Sequence, residues 1–308
     1  MHTPIPLTQD VVLIGGGHAH ALVLRRWAMK PLPGARLTLI DPAPSAPYSG
    51  MLPGHIAGHY KRDELEIDLV RLARFAGARL VLGRVEGLDL RTREIHVPGR
   101  PPLRYDMASL DVGVTSYLPD LPGFTAHALA AKPLGRFADH WAAFTADPPQ
   151  DPHVVVLGAG VAGVELAMAA AHKLGPHAHV SVVEAASDLL AGMSPATRAA
   201  LRGELAAQGI AVHLNASAQE VTAHDVHLLD GRRLRADVVI GATGARPQGW
   251  LADTGLALVN GFVAVDDQLR SLSDPHLYAV GDCAHMGFAP RPKAGVYAVR
   301  QAPVLYHN

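Results

Sequence analysis

Two stretches of the chain share one pattern, in which a short apolar run is followed by a glycine-rich turn and a longer segment rich in apolar residues. They are VVLIGGGHAHALVLRRW at residues 11–27 and VVVLGAGVAGVELAMAAA at residues 154–171. An apolar run of four or five residues without alternation is typical of a parallel strand that is buried on both faces. The segments after the turns predict helices over about 18–30 and 161–174, because a proline or a glycine follows each of them.

A second strand that ends in an acidic residue follows each predicted helix. Asp41 ends the strand LTLID, and Glu184 ends the strand VSVVE. Each acid lies 26 positions after the first glycine of its turn, which is Gly15 or Gly158. The equal spacing indicates that one structural unit occurs twice in the chain.

The repeat extends to a third strand. GRPPLRYDMASLDVG at 99–113 parallels GRRLRADVVIGATG at 231–244, and each stretch ends a predicted strand with a glycine, Gly113 or Gly244. Short strands that alternate with helices predict a parallel sheet covered by helices on both faces. We therefore expect an α/β fold with two Rossmann-like dinucleotide-binding domains.

The second turn has every residue type that a dinucleotide site needs. In a G-x-G-x-x-G turn, the first glycine makes the bend, the second lets the backbone approach a pyrophosphate, and the third lets the helix pack on the strand. The helix N-terminus then faces the anion, and an acid at the end of the next strand accepts hydrogen bonds from a ribose. Gly158, Gly160, Gly163 and Glu184 meet these requirements, so a bound nucleotide is predicted here.

The first turn departs from this pattern at one position. Gly15 and Gly17 are present, but His20 occupies the position of the third glycine. Asp41 supplies the acid by the spacing argument, and the alternative is that it only begins a turn. Either His18 and His20 direct a neutral imidazole edge at the pyrophosphate, or one packs beneath the cofactor and the other is partly solvated. A shared metal is disfavoured, because residues two apart project from different faces of a helix.

Composition and charge narrow the classes of function. The 308 residues are 49% hydrophobic with a mean hydropathy of +0.14, which is enough apolar material for two domains. Twenty-seven basic and 28 acidic residues give a net charge of −1 without a basic block, which argues against a nucleic-acid partner. The longest apolar stretches contain glycine and glutamate, so no transmembrane segment is predicted. The N-terminus lacks the basic start and apolar run of a secretory signal, so a cytoplasmic location is expected.

Cysteine and histidine usage bears on redox and metal chemistry. Cys283 is the only cysteine in the sequence, which excludes an intrachain disulfide, a redox-active cysteine pair and a cysteine-built zinc site. We expect Cys283 to be a small buried residue rather than a nucleophile. Histidines cluster at 172–180 and 224–229, in a predicted surface turn and a predicted hairpin where we expect no supporting acidic or sulfur ligands, so no metal site is predicted.

Two further motifs indicate a family by resemblance. HLYAVGDCA at 276–284 resembles the second flavin motif of the two-dinucleotide-binding-domain flavoproteins, the pyridine nucleotide-disulfide oxidoreductase superfamily. ATGARP at 242–247 is similar to the short strand-end signature of the same superfamily. The resemblance implies that Gly281 and Asp282 contact FAD, with the aspartate holding the ribitol.

The same resemblance implies a domain order. In such proteins the NAD domain is inserted into the FAD domain. Residues 1–118 and 245–308 would then form the FAD-binding domain, and residues 119–244 the NAD(P)-binding domain. The proline-rich stretch SYLPDLPGF at 116–124 lies where the first crossover is expected.

Within the superfamily, YSGMLPGHIAGHY at 48–60 and KPLGRFADHW at 132–141 resemble the oxidoreductase module found fused to selenide, water dikinase, which is itself close to type II NADH dehydrogenases. The resemblance implies a flavin contact for Tyr48, with a core or turn role as the alternative, and a functional link to selenide, water dikinase. The chain ends inside a predicted helix at 296–308, where relatives continue into a segment that caps the flavin, dimerises or touches a membrane. A homodimer, a peripheral membrane contact and a trimmed C-terminus are therefore left open.

The resemblance also implies a mechanism, in which NADH passes a hydride to FAD and the flavin then reduces a small-molecule acceptor such as a quinone. Glu165 matches a glutamate that relatives place beside the nicotinamide, and an exposed first-turn acid is the alternative. Lys293 precedes the last helix, where a cation would stabilise charge on the reduced ring, and a solvated lysine is the alternative. Because Glu184 is followed by AAS rather than by arginine, NADH is expected to be preferred over NADPH.

The electron acceptor is not predicted by the residues. Without a cysteine pair after the second strand, a disulfide reductase or a sulfide:quinone reductase is not expected. The two glutamines that type II NADH dehydrogenases carry near the quinone match Val296 and Arg300 here, with Gln301 displaced by one position. The alternative to an enzyme is a redox-sensing or docking module that holds FAD and NAD without sustained turnover.

Overall fold

The computed structural model describes residues 6–116, 118, 120–132 and 134–308. The described residues form two compact units. The first unit is built from Met1–Tyr48, Glu66–Val114 and Arg246–Asn308, and the second from Ser49–Leu65 and Thr115–Ala245.

The helices confirm the pattern of the sequence. In the described part of the chain they are α1 (His18–Met29), α2 (Leu52–Ile56), α3 (Leu69–Ala76), α4 (Phe124–His127), α5 (Leu134–Ala146), α6 (Val161–Leu174), α7 (Pro195–Ala207) and α8 (Gly295–His307). Single 3-10 turns span Ser49–Met51, Asp63–Leu65, Gly249–Asp253 and Gly281–Cys283. The helices predicted at 18–30 and 161–174 are α1 and α6, and α6 ends at Gly175, which has a positive φ of 78°.

The strands are short, and they belong either to the two five-stranded sheets or to small sheets of two or three strands. In the first unit they are β1 (Gln9–Ile14), β2 (Ala35–Asp41), β3 (Ser45–Pro47), β4 (Glu66–Asp68), β5 (Arg79–Leu82), β6 (Gly87–Asp89), β7 (Glu94–His96), β8 (Leu103–Arg104) and β9 (Met107–Leu110). In the second unit they are β10 (Ala128–Ala130), β11 (His153–Leu157), β12 (His179–Val183), β13 (Ala211–His213), β14 (Ala218–Val221), β15 (Asp225–Leu228), β16 (Arg233–Arg235) and β17 (Val238–Gly241). The chain then returns to the first unit with β18 (Leu258–Val259), β19 (Phe262–Val265), β20 (Leu277–Ala279) and β21 (Ala284–Met286).

A parallel sheet organises the first unit. Its strand order is β20-β9-β1-β2-β5, and β1 is the central strand. Val11 of β1 lies opposite Leu37 of β2 on one side and Met107 of β9 on the other. Leu24 of α1 and Leu39 of β2 are fully buried in the core of this unit. Burial on both faces explains why these strands read as continuous apolar runs.

The second unit repeats this arrangement. Its parallel sheet has the order β10-β17-β11-β12-β13, with β11 in the centre. Antiparallel strands β14-β15-β16 follow β13, just as β6-β7-β8 follow β5 in the first unit. Val156 and Ala167 are fully buried where α6 and the sheet contribute to one core. The prediction of an α/β fold with two Rossmann-like units is therefore confirmed.

The compact units differ from the predicted domain ranges in one long segment, besides shifts of a few residues at the other two boundaries. Residues 49–65, which the sequence assigned to the FAD-binding domain, belong to the second unit, where Trp141 donates a hydrogen bond to the Ile56 carbonyl at 3.1 Å. The boundary at 118–119 and the crossover at 116–124 include residues 117 and 119, and the expected N-terminal stretch includes residues 1–5. Residues 1–5, 117 and 119 themselves lie outside the described residues. The assignment of each domain to a cofactor stays a prediction.

Candidate cofactor-binding sites

The first glycine loop, residues 15–17, connects β1 to α1 in the first unit. Gly15 has a φ of 90°, and a Cβ added to it would lie 2.4 Å from the Asp111 carbonyl oxygen. A Cβ on Gly17 would lie 2.3–2.4 Å from the carboxyl atoms of Asp111. Both positions therefore require glycine, for backbone conformation at Gly15 and for space at both. Gly17 has an extended backbone and is the N-cap residue of α1, which begins at His18.

Asp41 holds this loop from the end of β2. Its carboxylate accepts hydrogen bonds from the backbone N–H of Gly16 at 2.7 Å and of Ala43 at 2.9 Å. Burial raises the pKa of Asp41, while these two hydrogen bonds and the charge of Arg84 oppose the rise. The acid thus stands beside the first glycine loop, where the spacing argument expects it to meet a ribose.

The two histidines of α1 have different surroundings. His20 is fully buried, with Nδ1 2.6 Å from the Gly15 carbonyl oxygen and Nε2 2.8 Å from the Ser109 hydroxyl. Because a carbonyl can only accept, Nδ1 carries the proton, and Nε2 accepts from the hydroxyl. Burial lowers the pKa of His20 to about 4, so the ring is neutral at physiological pH. His18 is only half-buried and packs on the ring of Tyr48 at 4.8 Å between centroids.

His20 therefore replaces the third glycine with a specific contact. At the equivalent position of the second unit, a Cβ on Gly163 would lie 1.9 Å from the Gly158 carbonyl oxygen. In the first unit, the corresponding carbonyl is the one that accepts the hydrogen bond from the His20 ring. Of the alternatives for the histidines, this geometry matches a packed His20 and a partly solvated His18. A contact of either ring with a cofactor stays a prediction.

The second glycine loop, residues 158–160, connects β11 to α6 in the second unit. Gly158 has a φ of 105°, and a Cβ on it would lie 3.0 Å from backbone atoms of Ala242. A Cβ on Gly160 would meet no atom of the described residues within 4 Å, so the loop is open at this point. The following Val161, at the start of α6, is 46% exposed. The first turn of this helix is therefore accessible to an anion from solvent.

Glu184 repeats the role of Asp41 in the second unit. Its carboxylate accepts hydrogen bonds from the backbone N–H of Ala159 at 2.7 Å and of Ala186 at 3.0 Å. The two acids hold equivalent glycine loops through equivalent backbone groups, which extends the duplication from the strands to the hydrogen bonds. The glycines that end the third strands also correspond, because Gly113 and Gly244 both have positive φ angles, of 62° and 36°.

Asp111 is the main residue of the first site that the sequence did not single out. It follows β9 directly and is only 5% exposed. Its Oδ2 accepts hydrogen bonds from the backbone N–H of Ala19 at 2.9 Å and of His20 at 3.1 Å, which lie in the first turn of α1. Burial raises the pKa of Asp111 to about 7, in spite of these hydrogen bonds. The available signal was an acid at the end of an otherwise apolar strand, where the second copy has Ala242.

The 3-10 turn at 281–283 brings a third group of predicted residues to the first site. Gly281 has a φ of 65°, and a Cβ on it would lie 2.5 Å from Asp111 Oδ1. The Gly281 N–H donates to Gln301 Oε1 at 2.6 Å, and Gln301 Nε2 lies 2.9 Å from the Met286 sulfur. Asp282 is half-buried beside Gly281. Gln301, displaced by one position from the expected glutamine, thus fixes this turn to α8.

Cys283 and Lys293 occupy the same part of the first unit. Cys283 is fully buried, and burial raises the pKa of its thiol to about 12, as expected of a packed residue rather than a nucleophile. The Lys293 ammonium donates to the Ala284 carbonyl and lies 4.1 Å from the centre of the Phe262 ring. Burial lowers the pKa of Lys293. The ammonium is therefore held by the protein rather than simply solvated, and its role toward a flavin stays a prediction.

Glu165 and Tyr48 are both accessible within their own units. Glu165 lies just after the first turn of α6 and has an exposed side chain, and partial desolvation raises the pKa of its carboxyl group. Tyr48 is 37% exposed, with one ring face against His18. These positions permit contact with a bound ligand, but the two roles stay predictions.

The sequence matches one family model along most of its length. Residues 9–302 match the model described as pyridine nucleotide-disulphide oxidoreductase. The chain belongs to this family. Members of the family bind FAD and NAD(H), and the duplicated glycine loops lie inside the matched range.

Curated relatives in this family are reductases of small redox proteins by name. The chain is 28% identical to a nitric oxide reductase FlRd-NAD(+) reductase from Pectobacterium atrosepticum over 293 residues, 91% of this chain and 73% of the relative. It is 39% identical to a rubredoxin-NAD(+) reductase from Pseudomonas putida over 137 residues, or 42% of this chain. The matched part is only 34% of that rubredoxin reductase.

Solved structures of the family share the fold. A ferredoxin reductase for the CYP199A2 system from Rhodopseudomonas palustris superposes with a TM-score of 0.82 at 26% identity, over 96% of this chain and 74% of that chain. The reduced CoADR-RHD of Bacillus anthracis has a TM-score of 0.86 at 20% identity, which shows the fold alone. The superposition covers 97% of this chain and 56% of the Bacillus anthracis protein.

The residues of the two loops fit the two cofactors of the family differently. In the second unit, the open space at Gly160 and the exposed Val161 at the start of α6 leave room for a pyrophosphate, and Glu184 can accept from a ribose. In the first unit, the glycines and Asp41 fit FAD, but Asp111 already occupies amides at the start of α1. The first site thus fits FAD with one additional buried acid that the second site lacks.

A histidine and aspartate cluster lies at the other end of the second unit's parallel sheet. His153 and His179 begin β11 and β12 and lie opposite each other in register, with ring centroids 4.5 Å apart. Asp151 lies 2.8 Å from His179 Nε2 and 3.5 Å from His153 Nε2. The expectation that no acid supports the histidines of 172–180 is therefore wrong for His179, because parallel pairing brings Asp151 to it. The absence of a metal site stays a prediction.

The membrane prediction can be compared with the helices. Within the residues that the structure describes, no helix combines the length and apolar character that crossing a bilayer requires. The cytoplasmic location, the homodimer and the peripheral membrane contact stay predictions.

Proposed function

We propose that this chain is an oxidoreductase that binds FAD at the first glycine loop and NADH at the second, and that passes electrons from NADH to a further acceptor. The observation that carries the proposal is the duplicated site: each unit places a glycine loop, a helix N-terminus and a strand-end acid together in one arrangement. That arrangement is suited to two dinucleotides. A single such loop would support only one.

The chain's own residues would bind and orient the two dinucleotides. The cofactors supply the redox chemistry when bound, since reduced nicotinamide gives up a hydride and flavin accepts it. The start of α6 would hold the NADH pyrophosphate, and Glu184 would accept from the adenosine ribose. Asp41 would do the same for FAD, and Asp282 is proposed to hold the ribitol. Glu165, which is exposed near the start of α6, is proposed to orient the nicotinamide carboxamide.

We propose NADH rather than NADPH as the electron donor. The carboxylate of Glu184 lies beside the second glycine loop and is followed by Ala185, Ala186 and Ser187. A 2′-phosphate would meet a negative charge here, with no cation among these following residues. Like charges at this distance disfavour binding.

The acceptor is proposed from the chemistry of the relatives. Their names specify rubredoxin, FlRd and ferredoxin as the proteins that they reduce, so a small redox protein is the first class of acceptor to test. A quinone is the second class. No nucleic-acid partner is proposed, because the chain has a net charge of −1.

The test begins with purified protein that has been supplied with FAD and passed through a desalting column. Retention of yellow colour and bleaching of the flavin absorption by anaerobic NADH within seconds are expected. Reoxidation by rubredoxin, ferredoxin or a quinone then identifies the acceptor class. Protein that leaves the column colourless would refute the proposal. Protein that stays yellow with NADH would instead support a docking or redox-sensing module.

A matched pair of variants links the result to the proposed sites. Asp41→Asn is expected to weaken FAD retention, and Glu184→Gln is expected to weaken NADH binding while FAD is retained. Asp10→Asn changes a carboxylate near the start of β1, at the opposite end of the strand from the loop, and should leave both cofactors bound. Loss of both cofactors in either site variant would point to unfolding rather than to a specific contact, which circular dichroism would reveal.

A further inference from the structure

A buried carboxylate occupies the start of α1 in the first unit. Asp111 is 5% exposed, and its Oδ2 accepts from two backbone N–H groups in the first helical turn, at 2.9 and 3.1 Å. These amides have no intrahelical partner and are the groups that a helix N-terminus offers to an anion. The protein itself therefore supplies an anionic group where the proposed function places a diphosphate.

The carboxyl group lies between two glycines of the proposed FAD site. A Cβ on Gly17 would lie 2.3 Å from Asp111 Cγ, and a Cβ on Gly281 would lie 2.5 Å from Asp111 Oδ1. Both glycine positions are therefore filled on one side by the same side chain. Asp111 is closely enclosed, so it cannot gain water without movement of one of these segments.

The second unit provides an internal comparison. Asp111 follows β9, and Ala242 follows β17 at the equivalent position beside the first glycine of its loop. Ala242 has only a methyl group, and the first two residues of α6, Val161 and Ala162, are exposed. The acid is thus not required to form a glycine loop of this kind. It is a specific property of the first site.

The charges around Asp111 disfavour a second anion nearby. Asp41 faces it from the end of β2 and Asp282 from the 281–283 turn, and both carboxylates act against ionisation of Asp111. His20 of α1 is neutral, and the Cys283 thiol is protonated. Gln301 approaches from α8 with an uncharged amide. Two cations lie nearby, but Arg84 acts on Asp41, and Lys293 acts on Asp282 and Cys283, whereas the charge effects on Asp111 itself come from the two carboxylates.

We propose that Asp111 makes FAD binding proton-linked, so that the chain binds FAD with Asp111 as the neutral carboxylic acid. At a pH where Asp111 is ionised in the free protein, each FAD bound would be accompanied by one proton taken up from solvent. The acid would then donate its hydrogen bond instead of repelling the diphosphate. This inference rests on the proposed function, in which the first glycine loop holds FAD.

The affinity of the flavin-free full chain for FAD should depend on pH. We expect the FAD dissociation constant of the wild-type chain to rise by about tenfold per pH unit from pH 7.5 to 9. Asp111→Asn keeps an oxygen for the two helix amides but cannot ionise, so its dissociation constant should stay level and be about thirtyfold lower than wild type at pH 8.5. FAD fluorescence quenching measures both quantities.

Controls separate the role of the charge from folding. Asp106→Asn removes a surface carboxylate at the other end of β9, where it accepts from the Asp10 N–H at 2.7 Å, and should keep the wild-type pH profile. Should Asp111→Asn fail to fold, the wild-type chain alone decides the question. Calorimetry in buffers of different ionisation enthalpy should give about one proton taken up per FAD at pH 8.5.

The outcomes distinguish this inference from the proposed function. FAD binding that is independent of pH in the wild-type chain, with no proton uptake, overturns the role of Asp111 and leaves the FAD site intact. Failure of the wild-type chain and of both variants to bind FAD overturns both. A pH-dependent affinity that persists unchanged in Asp111→Asn assigns the proton to another group and also overturns the inference.

Discussion

Gly160 of the second glycine loop and Gly163 of α6 should respond differently to substitution by alanine. At Gly163, the added Cβ would lie 1.9 Å from the Gly158 carbonyl oxygen. At Gly160, it would meet no described atom within 4 Å. The first substitution should therefore disturb the fold, and the second should disturb only the approach of a ligand.

The magnitude for Gly163→Ala follows from that distance. A carbon and a carbonyl oxygen approach to roughly 3.3 Å, so α6 would have to move about 1.4 Å away from the loop that follows β11. Overpacking of a tight core costs about 1–3 kcal/mol, and a backbone oxygen places this case at the upper end. Alanine recovers about 1 kcal/mol through its higher helix propensity. We expect a net loss of about 2 kcal/mol in the free energy of unfolding.

Urea unfolding monitored by circular dichroism measures this loss. With a slope of about 2 kcal/mol per molar urea, the unfolding midpoint of Gly163→Ala should fall by about 1 M. Gly160→Ala should change the midpoint by less than about 0.5 M, because its backbone φ of −70° suits alanine. NADH binding to Gly160→Ala should nevertheless weaken by about tenfold or more, since the methyl group projects where the proposed pyrophosphate lies.

Either of two results would refute this reasoning. A Gly163→Ala chain as stable as the wild type would show that α6 does not pack on the loop as closely as the structure has it. A Gly160→Ala chain that binds NADH with wild-type affinity would remove the second glycine loop as the nucleotide site.

Three other predictions concern single side chains. Because the folded-state pKa of His20 is lowered to about 4, the folded chain should lose up to about 1.4 kcal/mol of stability per pH unit as pH falls from 6.5 toward 4. Asp111, whose pKa is raised, acts in the opposite direction in this range, so the effect is measured as the difference between wild type and His20→Gln in urea unfolding. Equal dependence of the unfolding free energy on pH in the two chains would contradict this prediction. Glu184→Ser should reduce the preference for NADH over NADPH by about tenfold in dissociation constants from titration calorimetry, and an unchanged ratio would show that the carboxylate does not face the 2′ position. Cys283 should react with Ellman's reagent only in denaturant, since it is fully buried and its pKa is raised to about 12; rapid stoichiometric reaction of the native chain would show that the thiol is accessible.

The sequence alone determined the features that depend on spacing along the chain. Apolar runs, glycines and strand-end acids recur at the same intervals, so the two α/β units, the helices α1 and α6, and the roles of Gly15 and Gly158 in the bends followed directly from it. The acids Asp41 and Glu184 were expected beside their loops for the same reason. Each of these features is built within about 30 residues, where strand and helix periods fix the geometry.

Tertiary structure decided the contacts between segments that are far apart in sequence. Asp111 reaches the first turn of α1 across 92 positions, and parallel pairing of β11 and β12 brings Asp151 to His179 across 28. The buried hydrogen bonds of His20 and the place of residues 49–65 in the second unit are of the same kind. A local pattern does not specify which distant backbone will need a partner once water is excluded. That requirement arises only when the sheet and its helices have packed together.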